Sequence, residues 1–83
     1  MRITLKLFAT LRDYLPQDTK SSELELIVAD GASVQRVIDL YRLPAKLVHL
    51  VLVNGHYIYP NARATTHLKE GDVLALWPPI AGG

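Results

Sequence analysis
Only one stretch of this chain carries a sustained helical stripe, and that limits the folds open to it. In "SVQRVIDLYRL" the residues Val34, Val37, Ile38 and Tyr41 recur at i, i+3, i+4 and i+7, which makes one face of a helix apolar. Ser33 stands ahead of the stripe as an N-cap, and Pro44 pushes the residue before it out of the helical region, so the helix is predicted to end by Leu43. Elsewhere the apolar residues mostly alternate. "RITLKLF" puts Ile3, Leu5 and Leu7 on one face and Thr4, Lys6 and Phe8 on the other, a half-buried strand with Phe8 as the apolar misfit. "ATLRDYLP" spaces Leu11, Tyr14 and Leu15 for one or two helical turns stopped by Pro16, and "QDTKSS" is loop. "SELELIVADG" alternates again, Leu24, Leu26 and Val28 against Glu23 and Glu25, and closes at Asp30-Gly31.

Beyond the helix, "KLVHLVLV" is a β-rich run into Asn54-Gly55, a strong hairpin signal, with "HYIY" as the return strand before Pro60. "NARATTHLKEGD" is loop. "VLALW" is the last strand, with Leu74 and Leu76 facing the core and Val73, Ala75 and Trp77 facing away, and Pro78 and Pro79 end the ladder because neither has an N–H to donate. A chain of 83 residues has room for one domain. One helix covers one face of one sheet, so the expected architecture is α+β: a mixed four- to five-stranded sheet crossed by a single main helix, the first and last strands parallel neighbours through a long crossover. That is a β-grasp, over residues 1–77, followed by an extended, flexible tail, 78–83.

Charge and composition exclude more than they reveal. The net charge is +1 with the nine Lys and Arg scattered, so there is no basic stripe for nucleic acid. No apolar run approaches the ~20 residues of a membrane span and no signal-peptide cleavage pattern is present, which makes the cytoplasm the expected location. The absence of Cys removes disulfides, thiolate metal sites and thiol nucleophiles. His49, His56 and His67 match no ligand spacing even with Glu70 or Asp72 added, so no metal is expected. Glu23 and Glu25 read as a solvated strand face, and Ser21, Ser22 and Ser33 lack a nucleophile signature. Catalysis by the domain alone is not expected.

What is left is the ending, "LWPPIAGG". Gly-Gly buries nothing, so its backbone and carboxylate are the groups that can be useful. A C-terminal carboxylate is an anion at neutral pH and needs activation before it accepts a nucleophile; attack on the α-phosphorus of ATP would give an acyl adenylate. Two prolines favour an extended exit, two glycines can thread a narrow channel, and six residues after Trp77 reach roughly 20 Å from the sheet. With no cysteine, sulfur carried by this chain must ride on the terminal carbonyl as a thiocarboxylate.

"LFATLRDYL", "SVQRVIDLY", "VLVNG" and above all "LKEGDVLALWPPIAGG" resemble the ubiquitin-like sulfur carriers, nearly end to end: the small subunit of molybdopterin synthase and, slightly less, the thiamine-biosynthesis sulfur carrier, which usually lacks the double proline. The resemblance implies that an adenylating enzyme uses ATP to activate Gly83, with Gly82 beside it, that a sulfurtransferase system supplies sulfur, and that the thiocarboxylate enters the large subunit of molybdopterin synthase, with no cofactor bound by this chain. It also implies docking through an apolar sheet surface beside the tail, at positions matched by Phe8, Tyr57, Trp77, Pro78, Pro79 and Ile80. Three alternatives stay open: a protein modifier joined through Gly83 to lysines, a carrier for the thiamine or a tungsten-type route, and a plain binding module with an idle tail.

Overall fold
A computed structural model describes residues 1–17, 19 and 21–79. Five strands, β1 (Arg2–Leu7), β2 (Glu23–Ile27), β3 (Leu50–Val53), β4 (His56–Tyr57) and β5 (Val73–Trp77), form one sheet in the order β2-β1-β5-β3-β4. β1 and β5 run parallel and every other neighbouring pair is antiparallel. The helix α1 (Val34–Leu40) lies in the crossover between them. Its Val34, Val37 and Ile38 join Ile3, Leu5, Leu7, Val51, Leu74 and Leu76 in one core, so the helix and the sheet bury each other's apolar faces. This is the predicted β-grasp with its full five strands.

Local chemistry sets each element. The Ser33 hydroxyl accepts from the Arg36 amide at 3.0 Å and so caps the helix start. At the other end Arg42 takes φ 53, while the Leu43 amide donates to the Ile38 carbonyl and the Arg42 amide to the Asp39 carbonyl, the paired bonds of a Schellman stop built on a residue other than glycine. The predicted turns after β1 form as a 3-10 segment, Ala9–Tyr14, with Leu11 fully buried. Asn54 and Gly55 have φ 50 and 85, both positive as a type I′ hairpin requires, and they join β3 to β4.

Two expectations need correction. The return strand "HYIY" pairs only over His56–Tyr57. Pro60 holds Tyr59 extended and opens a 3-10 turn, Pro60–Ala62, so the chain leaves the sheet after Ile58 gives its amide to the Val51 carbonyl. Likewise "KLVHLVLV" is not all strand: a 3-10 turn over Ala45–Leu47 follows Pro44, and β3 begins only at Leu50. Among the described residues no helix is long and apolar enough to cross a membrane.

An αL arginine costs about 1 kcal/mol that a glycine avoids. Arg42→Gly should therefore raise unfolding stability by about that amount and Ser33→Ala lower it by about 1 kcal/mol, measured by urea denaturation. No gain from Arg42→Gly would contradict the helix stop described.

Candidate functional site
The sheet has a second face, away from α1, and its rows follow from the register. One row runs Glu23, Lys6, Ala75, Leu52, Tyr57 across β2, β1, β5, β3 and β4. The next brings Trp77 opposite Leu50, and Phe8, one residue past β1, gives its amide to the Leu76 carbonyl at 3.2 Å. The parallel pairing sets Phe8 alongside Trp77, ring centroids 4.3 Å apart and planes 9° from parallel. Phe8 is thus no misfit but part of an aromatic pair on this face. Farther along, Tyr57 meets Tyr59 edge to face at 4.8 Å, and these two rings are 41% and 64% exposed, which leaves them available for contact.

Charge divides the face in two. On the β2–β1 side Arg2 Nε lies 3.0 Å from Glu25 Oε1 and Lys6 Nζ 3.6 Å from Glu23 Oε2, exposed pairs that add little stability but make that half mostly charged, with Ile27 opposite Arg2 as its one exposed large apolar side chain among the described residues. On the β5–β3–β4 side stand Trp77, Leu50, Leu52 and Tyr57, and Ala75, though outward, is buried because it is small between the longer Lys6 and Leu52. Tail and apolar half meet at Trp77, whose carbonyl accepts from the His49 amide at 3.0 Å. Pro78 and Pro79 follow, the first half-buried and the second exposed, and neither can donate to the ladder. Of the predicted site residues, Phe8, Tyr57, Trp77, Pro78 and Pro79 fall at this face or its exit, while Ile80, Gly82 and Gly83 lie outside the described residues.

Leu50, Leu52 and Tyr59 belong to the same face and were missed, the first two because "LVLV" is apolar on both sides of the strand. Counting back by twos from the Asn54-Gly55 turn separates them from Val51 and Val53. Of the groups weighed as metal ligands, Asp72, Glu70 and His67 bond backbone groups. Asp72 accepts from the Lys69 amide at 2.8 Å and from Asn54 Nδ2 at 2.9 Å, Glu70 accepts from the Arg2 amide at 3.0 Å, and His67 Nδ1 lies 2.7 Å from the Gly31 carbonyl. Among the described residues no three His, Asp or Glu gather as metal ligands.

A single-helix β-grasp whose last strand ends beside an aromatic pair and an apolar half-face is a ubiquitin-like domain. The sequence matches the ThiS family over residues 5–83. This chain belongs to that family of ubiquitin-like sulfur carriers. No curated protein matches it. Among solved structures it is similar to the HVO 2177 protein of Haloferax volcanii, at 27% identity, TM-score 0.78, covering 100% of this chain and 87% of that one. It is similar also to the small archaeal modifier protein 1 of H. volcanii, at 24%, TM-score 0.69, covering 95% and 98%. The complex of subunits 1 and 2 of the molybdopterin-converting factor from Helicobacter pylori 26695 holds a third such chain, at 22%, TM-score 0.61, covering 100% of both.

If the two rings act as a unit, a double-mutant cycle between Phe8→Ala and Trp77→Ala should give a coupling of about 0.5–1.5 kcal/mol, read from thermal or urea unfolding. Strictly additive losses would mean that the stack contributes nothing.

Proposed function
We propose that this chain is a sulfur carrier whose C-terminal Gly83 is activated by a partner enzyme and then holds sulfur as a thiocarboxylate. The observation that supports it best is the contiguity of the apolar half-face and the tail exit at Trp77. A partner seated on Phe8, Trp77, Leu50, Leu52 and Tyr57 receives the tail at its own edge. Pro78 and Pro79 cannot extend the ladder, Ile80 would offer one apolar grip, and Gly82 and Gly83 have no side chain to block a channel. In the first step a Gly83 carboxylate oxygen attacks the α-phosphorus of ATP and pyrophosphate leaves. In the second, hydrosulfide attacks the adenylate carbonyl, a C–S bond forms, and AMP departs with the C–O bond.

The recipient is proposed to be the large subunit of a molybdopterin synthase. The double proline ahead of the glycines supports it, and so does the fold shared with a chain of the H. pylori two-subunit complex. A sulfurtransferase system would supply the sulfur in the cell. In this reading the domain acts as a co-substrate of the adenylating enzyme. One finding favours a second reading. The likeness to the small archaeal modifier protein 1 fits a modifier whose adenylate ends on a lysine amine. The chemistry up to the adenylate is the same, and the acceptor decides.

Intact mass spectrometry separates them. After incubation with ATP, an adenylating enzyme of the molybdopterin or thiamine type and sulfide, the chain should gain the fixed increment of sulfur replacing oxygen at residue 83. Gly83 found joined to lysines in cells, with no thiocarboxylate, would favour the modifier, and an unchanged mass with both pathways' enzymes would overturn the proposal. Truncating Trp77 to Ala should weaken binding to the adenylating enzyme and to the large subunit by about 2 kcal/mol, roughly 30-fold. Unaltered titration curves for both would remove the docking face.

A further inference from the structure
Arg63 is the one charged side chain among the core's buried residues, 7% exposed, and none of the ion pairs among the described residues includes it. Its guanidinium is spent on main-chain carbonyls: Nη1 donates to Val48 at 3.4 Å, Nη2 to His49 at 3.3 Å and Nε to Ile58 at 3.4 Å. An arginine fork of this kind fixes several carbonyls in one geometry, which a flexible ammonium does less well. The choice of carbonyls matters. Val48 C=O and His49 N–H belong to the same peptide unit, and that N–H donates to the Trp77 carbonyl at 3.0 Å. A continuous relay therefore runs from Arg63 through the 48–49 peptide to the last sheet residue before the prolines. A cation on the carbonyl side polarises the peptide and strengthens the bond its N–H makes.

We propose that Arg63 is a positioning residue for the tail, holding the 48–49 peptide so that its N–H pins the Trp77 carbonyl and sets the direction in which the chain leaves the sheet at Pro78 and Pro79. Pro78 and Pro79 have no N–H, so neither can tie the start of the tail to the sheet as a donor. The other two carbonyls serve the same end. His49 leads into β3 and Ile58 follows β4, so the fork ties both arms of the hairpin to the turn at Pro60–Ala62 whose C-cap is Arg63 itself. The consequence for sulfur transfer rests on the function proposed above, whereas the relay does not.

Amide hydrogen exchange on Arg63→Gln tests the relay directly. The His49 amide should exchange about tenfold faster than in the parent protein, while the Thr4 amide, bonded to Asp72, and the Leu68 amide, bonded to Ala32, keep their protection. If Arg63→Gln fails to fold, Arg63→Lys serves, with a smaller change confined to the same amide. Uniform loss at all three amides, or no change at His49, would overturn the proposal and leave Arg63 as a general stabiliser. Steady-state adenylation by the enzyme used above supplies the second reading: KM for the carrier unchanged and kcat lowered about tenfold in Arg63→Gln, partly restored by Arg63→Lys. A raised KM with unchanged kcat would contradict it. Failure of the parent chain to be adenylated at all would count against the proposed function, with the exchange result still deciding the relay.

Discussion
The parallel pairing of β1 with β5 is the constraint from which the rest follows. Its register, Leu5 beside Leu74 and Leu7 beside Leu76, puts the chain's first strand against its last although they are far apart in sequence. A parallel pair needs a long crossover, and here the crossover holds β2, the only α-helix among the described residues, and the β3–β4 hairpin. The same register carries Phe8 to Trp77 and lets the two rings stack. The core on one face and the candidate docking surface on the other are therefore products of one strand pairing. A shift by one residue would exchange them.

The candidate docking surface and the tail exit meet where that pairing ends. Trp77 closes β5, faces away from the core, touches Phe8, and offers its carbonyl to the His49 amide. After it the backbone has no N–H donors for two residues, and the sequence closes on Gly82-Gly83. The proposed function separates two tasks: the folded part would be recognised, and the terminal carboxylate would be acted upon. Such a division suits a protein that is a substrate for others' active sites.

Much of this was legible in the sequence because the periods were clean. The stripe of Val34, Val37 and Ile38, the alternation of Ile3, Leu5 and Leu7, and the Asn54-Gly55 turn each specify an element by local chemistry alone. Phe8 and Trp77 could be assigned to the outer face from alternation, and their contact required only that β1 and β5 be neighbours. Where the reading overreached, β-rich residues were held by proline. Ile58 and Tyr59 look like strand, but Pro60 turns the chain away, and Val48 and His49 follow a turn that Pro44 begins. Leu50 and Leu52 were hidden in a run apolar on both faces. Arg63 carried no signal at all: a lone arginine in a polar loop becomes a core residue only because three carbonyls converge on it in space.

The central claim is that the terminal carboxylate of Gly83 is the reactive group and that another protein's active site makes it so. ATP–pyrophosphate exchange measures that step without reference to any later acceptor. With the adenylating enzyme present, label from pyrophosphate should enter ATP only when this chain is added, and exchange should vanish when the C-terminal carboxylate is converted to an amide. Exchange that persists with the amidated chain, or that never depends on the chain, would contradict the claim.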